Sequence, residues 1–349
     1  MDDLDNLVDL VVKEGASDLH ISEDRNPLIR ISRQLVPLAK YPKFSKAMMG
    51  SILNVTLSDF KKKSFESSQS ADLTYSHKGE RFRTHVFIDQ QKICMAFRHI
   101  SKNIKTILEL GLPSALENFA RLKSGFFLVV GPTGHGKSTT LASLLEIINN
   151  ERVENIITVE DPVEYLFTPK KSIFHQREIG IDTPSFASAL RDSFRADANV
   201  IMVGEMRDPD TMSTAVSAAE TGHLVFSTLH TNNAVQTVDR IIDSFAASQQ
   251  NQIRLQLASS LTGIFSQRLI PKISGGLVPA YELLINNTAV SNLIRDKRTH
   301  EINTVIETSS KEGMIDFNRC LAQKVNQGEI TLENAYLYST NPRSLEKIL

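Results

Sequence analysis

The run Gly131-Pro132-Thr133-Gly134-His135-Gly136-Lys137-Ser138 constrains this chain more than any other feature in it. It follows an apolar stretch at 126–130 and leads into 138–148, whose spacing predicts a helix. The pattern G-x-x-x-x-G-K-[ST] between a strand and a helix is a phosphate-binding loop. Its glycines let the backbone curl so that N–H groups point inward at phosphate oxygens. Lys137 is placed to neutralise the β/γ-phosphates, and the Ser138 hydroxyl to ligate Mg²⁺. The helix that starts there adds the positive end of its dipole. Gly131, Pro132, Thr133, Gly134, His135, Gly136, Lys137, Ser138 and the adjoining Thr139 are therefore the expected nucleotide-binding residues, with ATP and Mg²⁺ as the expected ligands.

The surrounding sequence keeps the same rhythm. Residues 156–160, 200–203 and 224–229 are apolar enough for buried strands, and 209–220 is Ala-rich and helical. That alternation across about 125–245 predicts an α/β core on a parallel sheet. Residues 1–102 mix short helices with strand-like segments at 28–31, 81–87 and 93–97. His77-Lys78-Gly79-Glu80 reads as a hairpin turn, so this part is expected to be a small α+β domain. Residues 103–124, punctuated by Gly111-Leu112-Pro113, read as a linker and lead-in helix to a 125–349 domain. The last part of that domain, about 246–349, reads as mostly helical.

A phosphate loop needs acids to hold Mg²⁺ and orient water. One cluster is Glu160-Asp161-Pro162-Val163-Glu164, where Pro162 breaks the strand and leaves the acids in a loop at the sheet's carboxyl edge. The other is Glu205, just past Val200-Ile201-Met202-Val203-Gly204. An apolar strand ending in an acid is the Walker B pattern. The strand at 224–229 is flanked by His223 and His230, seven residues apart. They face opposite sides and are not a zinc pair. His230 is open to two readings, a capping histidine or one that reaches the γ-phosphate.

The composition narrows the classes. Of 349 residues, 41% are apolar, enough for roughly two folded domains at about 150 residues each. The formal net charge of −1 speaks against a bulk attraction to nucleic acid or anionic lipid. Cys94 and Cys320 cannot build a four-cysteine zinc site or a disulfide framework, which fits a reducing cytosol. The first ten residues carry Asp2, Asp3, Asp5 and Asp9 and no basic residue, unlike a secretory signal. No apolar run reaches the length of a membrane span.

Taken together, these blocks resemble the secretion-ATPase superfamily, the hexameric motors of type II secretion and type IV pili. Ala16-Ser17-Asp18-Leu19-His20-Ile21 is similar to its N-terminal signature. Residues 160–164 are similar to its Asp box, and Gly204-Glu205-Met206-Arg207-Asp208 to its Walker B box. Ala218-Ala219-Glu220-Thr221-Gly222-His223 leads into its His box. The resemblance covers nearly the whole chain, in family order. Within the superfamily it points to the pilus-retraction branch. The N-terminal region is short, the tetracysteine motif of assembly ATPases is missing, and Ala289-Val290-Ser291-Asn292-Leu293-Ile294-Arg295-Asp296 resembles the retraction element AIRNLIRE.

The resemblance implies a RecA-like P-loop core, a PAS-like N-terminal domain and a helical C-terminal region. It implies that Glu164 activates water, that Glu205 is the Walker B acid on Mg²⁺, and that His230 senses the γ-phosphate. It further implies that the N-terminal domain swings Arg83 and Arg98 onto the nucleotide, where positive charge stabilises the transferring phosphoryl group. The implied assembly is a homohexamer at the cytoplasmic face of the inner membrane. It would turn a platform protein there, alone or beside a sister pilus ATPase, without nucleic acid. An assembly or secretion ATPase and a non-hydrolysing ring subunit are the alternatives. Three positions depart from the family pattern: His135 stands for Ser, Arg33-Gln34 for a turn glycine, and Ser291 for Arg. The second departure leads us to expect a reshaped N-terminal hairpin.

Overall fold

A computed structural model describes residues 2–31, 34–57, 59–100 and 102–349. They fall into two compact units, Met1–Lys102 and Asn103–Leu349.

In the first unit, α1 (Asp2–Lys13) carries Leu4, Leu7, Val8 and Val11 on one buried stripe. That stripe joins the core of an antiparallel sheet ordered β3-β2-β1-β6-β5-β4. Its strands are β1 (Asp18–Ser22), β2 (Leu28–Ile31), β3 (Gln34–Pro37), β4 (Ser70–His77), β5 (Glu80–Asp89) and β6 (Lys92–Ile100). Helices α2 (Lys46–Thr56) and α3 (Asp59–Ser68) separate β3 from β4. Lys78-Gly79 joins β4 to β5 with both φ angles positive, as a two-residue hairpin turn needs. Of the departure at Arg33-Gln34, Arg33 lies outside the described residues, and Gln34 opens β3.

The second unit begins with a difference from expectation. The stretch from 103, read as a linker, is packed: Ile107 and Leu112 are buried with Phe127. Helix α4 (Ala115–Ala120) adds Leu116 and Phe119 to the same cluster. The sheet then follows the order β13-β12-β7-β11-β10-β8-β9. Strands β7 (Gly125–Val130), β8 (Asn155–Glu160), β9 (Ile173–Glu178), β10 (Val200–Val203), β11 (Leu224–Leu229) and β12 (Leu261–Pro271) run parallel. Only β13 (Leu277–Ile285) is antiparallel to its neighbour. The central strands are buried on both faces and mostly apolar, with Thr158 in β8 and Ser227 and Thr228 in β11 among the buried polar exceptions. Phe126, Leu128 and Val130 point into one cluster, Phe127 and Val129 into the other. Helix α5 (Lys137–Glu151) covers the second face with Leu141, Leu144, Leu145 and Ile148. The first face is covered by α6 (Phe186–Ser193), α7 (Pro209–Glu220), α8 (Ala234–Asp243) and α9 (Ala247–Ser260).

The expectation for about 246–349 needs one correction. The sheet does not end at 245, because β12 and β13 add a long hairpin to it. Helices α10 (Thr288–Arg295), α11 (Ile302–Thr308), α12 (Phe317–Asn326), α13 (Leu332–Tyr338) and α14 (Pro342–Glu346) make the remainder helical, as read. Among the described residues no helix is long and apolar enough to cross a membrane.

Candidate nucleotide site

Four adjacent parallel strands, β7, β11, β10 and β8, each end at the same edge of the sheet and each deliver one predicted element there. Ligands of open α/β sheets bind at that carboxyl edge. The phosphate loop follows β7, His230 follows β11, Glu205 follows β10, and the 160–164 loop follows β8.

The loop has the shape its glycines predict. Gly131, Gly134 and Gly136 all hold positive φ. A methyl placed on Gly131 would lie 2.3 Å from the Gln267 carbonyl oxygen, so no side chain fits there. Lys137 is buried at the first turn of α5. Its Nζ donates to the carbonyls of Gly131 at 2.9 Å and Pro132 at 3.1 Å, and lies 3.4 Å from His230 Nδ1. Burial lowers the Lys137 pKa, and the charges of Glu164 and Glu205 oppose that shift.

His230 bridges the loop to the acids. Its Nε2 is 3.3 Å from Glu205 Oε2, and its Nδ1 is 3.4 Å from Thr133 Oγ1. One tautomer, with the proton on Nε2, lets the ring donate to Glu205 while Nδ1 accepts from Lys137. Glu205 also pairs with Arg207, which reaches Asp161 at 3.9 Å. Burial pulls the Glu205 carboxyl upward. The hydrogen bond and charge of Arg207, followed by those of His230, outweigh it and hold the pKa below the usual carboxylate value. Thr228 Oγ1 donates to the Gly204 carbonyl at 2.6 Å and fastens the chain just before Glu205.

The 160–164 loop splits its two glutamates by environment. Glu160 is buried at the end of β8, accepting from Thr158 Oγ1 at 2.6 Å and from the Glu164 N–H at 3.1 Å. Burial raises its carboxyl to about 7, against the pull of those hydrogen bonds. Glu164 is exposed at the edge, and Glu160 holds its backbone in place. Beside it, Tyr165 Oη meets Thr139 Oγ1 at 2.8 Å.

Arg83 and Arg98 belong to the other unit. They stand directly opposite each other on β5 and β6, both exposed and on one face of that sheet. Arg98 Nε donates to Asp18 Oδ1 at 3.0 Å. Like charges set opposite each other on neighbouring strands are unfavourable, and the Asp18 carboxylate beside Arg98 offsets part of that repulsion.

Sequence reasoning missed Gln267 and the Arg207 ion pair. Gln267 lies on a strand that was not foreseen, and nothing in its local sequence marks it. Arg207 had a signal, since it stands two residues from Glu205 and a single extended step brings such neighbours together.

A family profile described as "Type II/IV secretion system protein" matches residues 1–305. The chain is 39% identical over 334 residues to the "Type IV pilus retractation ATPase PilT" of Pseudomonas aeruginosa, covering 95% of this chain and 97% of that protein. It is 36% identical over 349 residues to the "Type IV pilus ATPase PilU" of the same organism, covering 99% and 91%. A crystal structure of the pilus retraction motor PilT with bound ADP superposes with a TM-score of 0.92 at 42% identity, over 98% of each chain.

Proposed function

This chain belongs to the type II/IV secretion system protein family, and from that premise we propose that it is an ATP-hydrolysing motor that powers type IV pilus retraction. The observation that carries the hydrolytic part is the convergence of Lys137, Glu205 and His230 at the mouth of the phosphate loop. The retraction part is supported by end-to-end similarity to PilT.

The roles follow from the chemistry of each group. N–H groups of the loop and Lys137 bind the phosphates. Glu164, exposed and oriented through Glu160, takes a proton from the attacking water. His230 links the γ-phosphate position to Glu205. The Ser138 hydroxyl and the Glu205 carboxylate are hard oxygen donors suited to Mg²⁺. Among the described residues no three His, Cys, Asp or Glu side chains form a metal cluster by themselves, and Ser138 and Glu205 are the residues that would hold Mg²⁺. Mg²⁺ held there would neutralise phosphate charge. Arg83 and Arg98 supply further positive charge from the N-terminal unit, which ties the chemistry to movement of that unit. The working form is a homohexamer at the cytoplasmic face of the inner membrane, acting on a platform protein.

Phosphate release by the purified chain tests the enzyme. Lys137→Ala is expected to lower turnover to background, and a Lys137→Ala variant that still hydrolyses ATP overturns the assignment. Similarity to the type IV pilus ATPase PilU over nearly the full chain favours one second reading, a pilus ATPase other than the retraction motor itself.

A further inference from the structure

Strand β12 touches the phosphate loop at more points than its place beside β7 requires. Gln267 is buried, and its Nε2 donates to the His135 carbonyl at 2.7 Å. Its Oε1 accepts from Thr140 Oγ1, on the first turn of α5, at 2.7 Å. The amide therefore spans the loop's apex and the helix that follows it. Two residues further along the strand is a pairing in the opposite direction. The Leu269 backbone N–H donates to the His135 ring Nδ1 at 2.8 Å. Two of the loop's three glycines face the same residue. A methyl on Gly131 would strike the Gln267 carbonyl, and one on Gly136 would lie 2.9 Å from Gln267 Nε2.

We propose that Gln267 and His135 form a clasp that holds the phosphate loop in its binding shape from β12, so that both are positioning residues for the nucleotide diphosphate. The physical basis is that a loop of three positive-φ glycines is conformationally free and costs entropy to order. Two hydrogen bonds from the loop to a rigid strand, with a third from Thr140 on α5, meet that cost before the nucleotide arrives. Neither residue needs to touch the reacting atoms.

The clasp has a chemical signature. The His135 ring accepts through Nδ1, which only a neutral imidazole can do. Burial, then the facing charges of Arg268 from β12 and Lys137 from the loop's end, lower its pKa. The acceptor is thus present at neutral pH and is lost as the pH falls below the usual imidazole range. Asn, by contrast, offers an amide oxygen at a similar reach and accepts at every pH. The proposal rests on the nucleotide-binding reading of the loop but not on turnover, because ADP binding reports it directly.

The experiment measures the Kd of Mg-ADP for the full chain at about pH 7.5 and about pH 5.5, with kcat for ATP at saturation. Gln267→Met keeps the volume and deletes both amide bonds. It is expected to raise the Kd about tenfold at pH 7.5 with kcat within about threefold. His135→Ala is expected to raise the Kd severalfold at pH 7.5, and His135→Asn to restore it. Both His135 variants are expected to lose part of the rise in Kd on acidification that the native chain shows. An unchanged Kd in Gln267→Met overturns the proposal. If Gln267→Met does not fold, the His135 pair decides alone, and a native-like pH dependence in His135→Asn overturns it. A native chain that binds ADP but releases no phosphate from ATP sinks the motor reading and leaves the clasp test standing.

Discussion

Glu282 is buried on β13, where its Oε1 accepts the N–H of Ala234, the first residue of α8, at 2.7 Å. Burial pushes its carboxyl from 4.5 up to about 7, while the Ala234 N–H pulls the other way. A carboxyl raised in the folded chain holds its proton more tightly there than in the unfolded chain. Its stabilising contribution is complete below about pH 4.5 and is lost as the pH rises through about 7. Glu282→Gln cannot ionise. Between about pH 5 and about pH 8 it is expected to gain roughly 2–3 kcal/mol of stability relative to the native chain. Denaturant titrations at both pH values check this, and an equal gap at the two contradicts it. The functional residues separate in the same way by environment. Lys137 and Glu205 are legible because a loop pattern and a strand end announce them, whereas the sequence leaves His230 open between two readings and only the fold brings its ring to 3.3 Å from Glu205. Glu160 was one of several acids in the sequence, and only its burial and its hold on the Glu164 N–H set it apart.

The hairpin of β12 and β13 is the element that sequence reading did not supply. Helix α9 passes into β12 between Ser260 and Leu261 with no turn between them, so the helical pattern had no visible stop. The turn signal was there, at Gly275-Gly276, but it marks the far end of β12. Strand β9 was missed because four of the six residues of Ile173–Glu178 are polar, as an edge strand allows. By contrast β10, β11 and α7 were read with the bounds they have, since the apolar run of β10, the Leu224-Val225-Phe226 opening of β11 and an Asp208-Pro209 start for α7 leave little choice. The hairpin's fit against β7 and α4 is tight at one point. A methyl on Gly263 would lie 2.8 Å from the Leu284 carbonyl oxygen and 2.8 Å from Phe119 Cε1. Backbone and ring cannot both move aside, so Gly263→Ala is expected to cost about 1–3 kcal/mol. A lower denaturant midpoint at unchanged slope is the expected result, and an unchanged midpoint contradicts this packing.

At the scale of the molecule, the chain is two compact units. The second unit carries the phosphate loop and every acid of the proposed site. The first carries Arg83 and Arg98, paired across β5 and β6 with Asp18 beside Arg98. If the arginines serve the reaction, Arg83→Ala and Arg98→Ala should lower kcat at least about 100-fold while ADP affinity stays within about threefold. A kcat near the native value in both variants would restrict the chemistry to the second unit. Whether hydrolysis is spent on retraction is a question for the cell. The most direct measurement is to delete the gene in its own organism and score surface pili and twitching together. The account predicts abundant pili with no twitching, both reversed by the native chain and not by Lys137→Ala. A strain that has lost its pili would contradict retraction and place the motor in assembly.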